Sequence, residues 1–313
     1  MTENYIPLRV NRDFGDIITT YFDFFKQNIK KFTNVFLSYN GIFLIGLLIV
    51  SYLLVSGFMG VIAYEDSYTY GVAREPMDSK YMILVGIGGI LFFIIFIMVA
   101  VLNYGLASSY MIKYEEKQGD NFDKKEVWEY AKNQFGNIVL FILLMIPIFL
   151  VLMIISIIFA FIPLVGIFAN YISQFFIQAW LGVSFYDMLQ NQKGVTDALG
   201  EGWNLVTKNF WRSIGVNFIL GLLIGVLIMV ALIVPGVIIG VYTFHVVEND
   251  VAYSTSIIAT VVYTLGTCLF LIIAIYGQCL SQFVNGILYY ALHEKTYNVN
   301  ARSKIEKIGN NEV

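Results

Sequence analysis

Three stretches of this chain, 42–62, 82–102 and 138–161, run for about twenty residues with almost nothing but apolar side chains. That is the length an α-helix needs to cross about 30 Å of hydrocarbon. Lipid offers the backbone no hydrogen-bond partners, so a segment of this kind satisfies its own amides as a helix. The rest of the composition agrees. Hydrophobic residues make up 58% of the 313 and charged residues 13%, against about 25% charged in a soluble domain. Too few polar side chains remain to coat a soluble helical core. The expected fold is all-α, a polytopic membrane protein. The first 40 residues lack an early apolar run and contain Asp13, Asp16 and Asp23. Insertion is therefore expected through the spans themselves rather than a cleavable signal.

Six spans are expected, at roughly 42–63, 81–112, 137–161, 164–188, 214–243 and 256–292. The second and sixth exceed what a bilayer requires and should tilt or project beyond it. Pro147 and Pro235 fall inside the third and fifth spans, where each removes a backbone donor and should kink or break its helix. Pro163 fits a tight turn between the third and fourth. Of the 19 basic residues, 17 fall before span one, after spans two and four, or in the tail; the other side has Arg74 and Lys80. The positive-inside rule then puts both termini in the cytoplasm, and the expected location is a bacterial inner membrane. The loops at 64–80 and 245–255 on the other side are acidic.

One spacing occurs twice. Gln174, Gln178, Gly182, Phe185 and Tyr186 are matched by Gln278, Gln282, Gly286, Tyr289 and Tyr290, each pair 104 residues apart. A second spacing precedes two spans: Glu126-x-Trp128-x6-Phe135 before the third and Glu201-x-Trp203-x6-Phe210 before the fifth, with a weaker Phe22-x6-Ile29 before the first. Together they predict three repeats, each an interfacial amphipathic helix followed by two spans, covering about 14–117, 121–193 and 196–297 within one membrane domain. Residues 298–313 form a polar tail expected to be flexible. In the first amphipathic segment Phe14, Ile17, Ile18, Tyr21, Phe25, Ile29, Phe32 and Phe36 make one apolar stripe. Asp123 with Glu126 can cap the second segment, and Thr196 or Asp197 the third. These helices lie either on the bilayer surface, with Trp128, Trp203 and Trp211 at headgroup depth, or against the protein.

The segment Trp203-x3-Thr207-Lys208-Asn209-Phe210-Trp211, leading straight into an apolar span, together with the Gly-x2-aromatic-Tyr helix end, resembles the multi-pass membrane-domain family associated with glycerophosphodiester phosphodiesterases. It also resembles related stand-alone bacterial membrane families. The resemblance covers most of the chain in pattern and is best at 196–222. It implies the membrane part alone, because no segment matches the acid- and histidine-rich catalytic barrel of those phosphodiesterases.

The residues offer little chemistry. Cys268 and Cys279 lie eleven positions apart on one expected helix, about 16 Å by helical rise and beyond disulfide reach. With His245 and His293 far from each other, no metal site or cofactor is expected. No nucleophile–base constellation stands in register, so no enzyme is expected, and no nucleic-acid partner. No ionisable residue falls deep in a span, which lowers the prospect of an ion-coupled transporter. The two glutamine pairs are spaced i, i+4 and share a helix face with their glycines. They either bond across helices in a packing seam made close by Gly182 and Gly286, or line a polar pocket between spans four and six. Tyr186, Tyr289 and Tyr290 are expected at helix ends, as an interfacial belt or in contact with headgroups. The leading expectation is a non-enzymatic scaffold or subunit of a larger membrane complex, partnered by membrane lipids and by other membrane or cytoplasmic subunits. The alternative is a transporter or lipid-handling protein that uses the polar site.

Overall fold

The computed structural model describes residues 5–69, 78–248, 256–300 and 302. Among these residues all regular structure is helical: α1 (Phe14–Thr69), α2 (Ser79–Glu116), α3 (Lys124–Asn133), α4 (Phe135–Ala160), α5 (Val165–Asn191), α6 (Val195–Lys208), α7 (Phe210–Glu248) and α8 (Ile257–Tyr297). Five of them, α1, α2, α4, α7 and α8, are long and apolar enough to cross a membrane. Their outward faces are apolar where a soluble protein would be polar: Ile90, Phe93, Leu150, Met153, Met229 and Val241 are all exposed. A multi-pass helical membrane protein is the state this surface suits. The fourth expected span corresponds to α5, which has the length, but Asn170, Gln174 and Gln178 cut its apolar run. The acidic loops lie largely outside the described residues, as does most of the polar tail.

The chain divides into two compact bodies. The first comprises residues 1–36, 101–224 and 278–313, and the second residues 37–100 and 225–277. In the second body small residues let helices approach closely. A Cβ on Gly57 would meet Val85 and the Tyr81 carbonyl, one on Gly60 would meet the Tyr81 ring, and one on Gly277 would meet Ile228.

The first body is an aromatic core. Phe32 meets Phe283 edge to face at 4.7 Å, Phe24 meets Tyr114 at 5.0 Å and Phe141 meets Phe185 at 5.1 Å. One polar pair is bonded inside it: the Tyr110 hydroxyl donates to Asn28 Oδ1 at 2.8 Å. Half of the apolar stripe of the first amphipathic segment is thus spent on protein. Ile17, Tyr21, Phe32 and Phe36 are buried in this core, with Phe24 beside them, while Ile18, Phe25 and Ile29 are half-buried and Phe14 is exposed. That segment is also continuous with the first span, as one helix of 56 residues. The other two amphipathic segments stay separate, α3 from α4 at Gln134 and α6 from α7 at Asn209.

Local signals are kept in part. Asp123 and Glu126 form the full capping box of α3, with Asp123 Oδ1 accepting from the Lys125 and Glu126 amides at 2.8 and 2.9 Å. The start of α6 differs from expectation. Gly194 is its N-cap and the helix begins at Val195, so Thr196 and Asp197 lie inside the first turn and cap nothing. Neither proline breaks its helix: α4 runs through Pro147 and α7 through Pro235. One missing donor is a small loss to a long helix. Pro163 does sit in the turn from α4 to α5, where Leu164 adopts φ 58 and a Cβ on Gly166 would collide with the Phe159 carbonyl.

A hydrogen bond from the Asp123 backbone amide, and Lys117 beside it at 3.3 Å, hold the Glu126 carboxyl below its ordinary value. A carboxylate with a depressed folded value adds stability above its ordinary 4.5 and loses it as pH falls through the depressed one. Asp123→Ala should lower stability by about 1 kcal/mol. Glu126→Ala should lower the Tm at neutral pH, and the gap from the parent protein should close as pH is taken well below 4.5. Thermal unfolding by circular dichroism reads both.

Candidate functional site

The glycines of the repeated spacing seat α5 and α8 on each other reciprocally. A Cβ on Gly182 of α5 would collide with the Asn285 carboxamide of α8. A Cβ on Gly286 of α8 would lie 2.6 Å from Tyr186 Cζ of α5 and 2.5 Å from the Met111 sulfur of α2. Each helix therefore receives the other's side chain where it has none of its own.

Beside this contact, toward Gln278 and Gln174, the two helices with α4 and α2 line a half-open cavity of about 430 Å³. Gln174, Gln178 and Gly182 line it from α5, and Gln278, Ser281 and Asn285 from α8. Tyr104 of α2, Leu181 of α5 and Met145, Phe149 and Leu152 of α4 complete the wall. Its size is that of a small-molecule or headgroup pocket. Gln282 and Gly286 are not in the wall. Gln282 is buried behind it and accepts from Asn285 Nδ2 at 2.8 Å.

The expected amide bonds across the helices do not form among the described residues. Gln174 Nε2 donates along its own helix to Asn170 Oδ1 at 3.2 Å, and Asn285 bonds Gln282 on α8. Asn170 also accepts from Ser156 Oγ of α4 at 2.7 Å. The physical reason is geometric: the glycines bring the helices together one to two turns away, and the glutamine ends diverge around the cavity. Gln278 Oε1, Gln282 Nε2 and Asn285 Oδ1 are buried without a protein partner, although such groups are normally satisfied. Sequence reasoning missed Asn285, Ser281 and Tyr104. The signal for Asn285 was available, since Gln278, Gln282 and Asn285 follow i, i+4, i+7 and so share one helix face.

The tyrosines correct another expectation. Tyr186, Tyr289 and Tyr290 are fully buried, so they form neither an interfacial belt nor headgroup contacts. Their helices continue into the packed first body, and their hydroxyls are used there. Tyr290 donates to Gln190 Oε1 at 2.6 Å and Tyr186 points its hydroxyl at the Met111 sulfur at 3.1 Å. Tyr289 lies 3.4 Å from Asp187 Oδ1. Asp187, at a span end by sequence, is fully buried. It is held by Lys193 at 3.0 Å and by Asn191 Nδ2 at 2.6 Å. Of the three tryptophans expected at headgroup depth, Trp203 and Trp211 are exposed and Trp128 is half-buried. Trp203 is braced edge-on by Trp180 at 5.2 Å.

Outside the spans, residues 5–12 strap the helix ends of the first body. Tyr5 donates to Glu115 at 2.8 Å, the Ile6 amide to the Tyr114 hydroxyl at 2.9 Å, and Arg12 to the Leu8 and Pro7 carbonyls. Burial pulls the Arg12 guanidinium below its ordinary value while Glu115 and Asp16 draw it back up. Burial, with Glu116 nearby, pushes the Tyr130 hydroxyl up to about 12. It remains a neutral donor, bonded to the Leu189 carbonyl at 2.8 Å, and fastens α3 to α5.

Compared with known proteins, the chain matches no family model, no curated protein and no solved structure.

Two pairs of substitutions test this geometry. Gly286→Ala should cost about 1–3 kcal/mol by overpacking Tyr186 and Met111. Gly225→Ala, in the open on α7, should cost nothing or stabilise. Lys193→Ala should cost about 2 kcal/mol, less than a fully buried pair because Lys193 is partly exposed. Adding Asp187→Asn should restore most of that loss. Unfolding in detergent measures all four.

Proposed function

We propose that this chain is a six-span lipid-handling membrane protein that holds an amphiphile in the cavity between α5 and α8. The observation that carries the reading is the cavity's two-sided wall: amides and a hydroxyl from α5 and α8 face apolar side chains from α4. Polar groups of this kind are costly in hydrocarbon unless something satisfies them, and Gln278 and Asn285 keep acceptor oxygens that the protein leaves open. A packing seam alone gives no reason for that cost. In this reading α5 is the fourth span, and its polar residues are the reason it is the least apolar. The three-repeat organisation, cytoplasmic termini and bacterial inner membrane belong to the same proposal, supported by the charge asymmetry and the repeated spacings. So does kinship with the phosphodiesterase-associated membrane domains, and a non-catalytic role.

A scaffold or subunit role remains the second reading, favoured by one observation: Trp203 and Trp211 stand exposed at the α6–α7 junction. They suit either lipid headgroups or another subunit. Stoichiometric partners recovered from mild detergent, and lost on Trp203→Ala with Trp211→Ala, would support it; a solitary particle would remove it.

Filling the cavity separates the readings. Ser281→Phe should abolish co-purifying lipid, measured by mass spectrometry of the intact particle, while leaving the Tm within a few degrees of the parent. Lipid retained at parental level with the ring in place would defeat the lipid-handling reading.

A further inference from the structure

The cavity's chemistry narrows its ligand. Among the described residues, no lysine, arginine, histidine, aspartate or glutamate lines it. An anion placed there would be stripped of water with no cation to meet it, and a cation would find no carboxylate; either is expensive in low dielectric. What the wall offers instead is neutral hydrogen-bonding capacity. Asn285, 4% exposed, spends one amide hydrogen on Gln282 and keeps Oδ1 open. Gln278 keeps Oε1 open as well. Exchanging oxygen and nitrogen in both Gln282 and Asn285 preserves their mutual bond. It still leaves one donor and one acceptor atom unmatched across the pair. A hydroxyl both donates and accepts, so it satisfies the wall in either arrangement. In the arrangement drawn, a phosphate or carboxylate sets its acceptor oxygens against the open carbonyl oxygens of Asn285 and Gln278, and in either arrangement it meets no cation in the wall.

The apolar side completes the description. Phe149 and Leu152 face the amides across a cavity of about 430 Å³, which suits a polar group with the start of a hydrocarbon chain. Gly182 matters here too, because any side chain on it would displace the Asn285 carboxamide.

From this we infer that the cavity between α5 and α8 selects an uncharged, hydroxyl-bearing headgroup of an acyl lipid over anionic headgroups. The inference rests on the lipid-handling reading and goes further by naming the headgroup class.

The test uses the full chain in phosphatidylcholine nanodiscs, which avoids sugar-headed detergents. A monoacylglycerol carrying a photoactivatable acyl chain is crosslinked, and labelled peptides are identified by mass spectrometry. The expected result is labelling of the α4 segment containing Phe149 and Leu152. Excess unlabelled monoacylglycerol should suppress it, whereas the monoacylglycerol phosphate of the same chain length should not. Gln278→Leu should reduce labelling about tenfold with an unchanged Tm. If Asn285→Leu fails to fold, Gln278→Leu alone still decides the matter, because Gln278 is only half-buried. Equal or stronger competition by the phosphate analogue would overturn the inference while leaving a ligand cavity. Absence of cavity labelling both by this probe and by a monoacylglycerol phosphate carrying the same photoactivatable chain would overturn the inference and the lipid-handling reading together.

Discussion

The reciprocal seating of α5 and α8 is the contact on which the rest of the first body depends. Two glycines accept two side chains, Asn285 over Gly182 and Tyr186 over Gly286. In lipid there is no hydrophobic drive between helices, so close backbone approach and van der Waals fit must supply the association. The contact also decides where polar groups can go. Below it the aromatic core closes around Tyr186, Tyr289 and Tyr290, all fully buried. Beside it the helices part around the cavity, and the amides of both line the gap.

That division explains why one repeated spacing has two physical roles. Its glycine and tyrosine end builds packing, with the hydroxyl of Tyr290 fixed on Gln190. Its glutamine end builds a polar wall from Gln174, Gln178 and Gln278, with Gln282 behind it, and Gln174 and Gln282 bond only within their own helices. The two copies are not equivalent in the wall. Asn285 of α8 corresponds in spacing to Leu181 of α5, so the unsatisfied carboxamide has no counterpart on the other side.

Much of the architecture is legible in the sequence because hydropathy and length constrain it strongly. Apolar runs of membrane length became long helices, Asp123 and Glu126 capped α3 as their spacing implies, and Pro163 marked a turn. What failed were inferences from local pattern to environment. The stripe from Ile17 to Phe36 is the same whether it faces lipid or protein, and only the partners Tyr110 and Phe283 settle it. Tyrosines near a helix end suggest a membrane interface, yet these helices continue into a packed body that consumes them. The cap of α6 was misplaced because glycine at 194 starts the helix two residues before the first polar candidate. The candidate site was half legible: the glutamine and glycine positions were visible, but the sequence does not say whether two polar faces meet or stand apart. Side-chain geometry around Gly182 decides that.

The central claim is that the gap between α5 and α8 is a ligand site rather than a packing defect. An electron cryomicroscopy map of the protein extracted with its native lipids tests this directly. The account predicts elongated non-protein density in the cavity, with its polar end within hydrogen-bond distance of Asn285 and Gln278 and its tail along Phe149 and Leu152. A closed gap in which Gln278 or Gln178 bonds across to the opposite helix, with no such density, would contradict it.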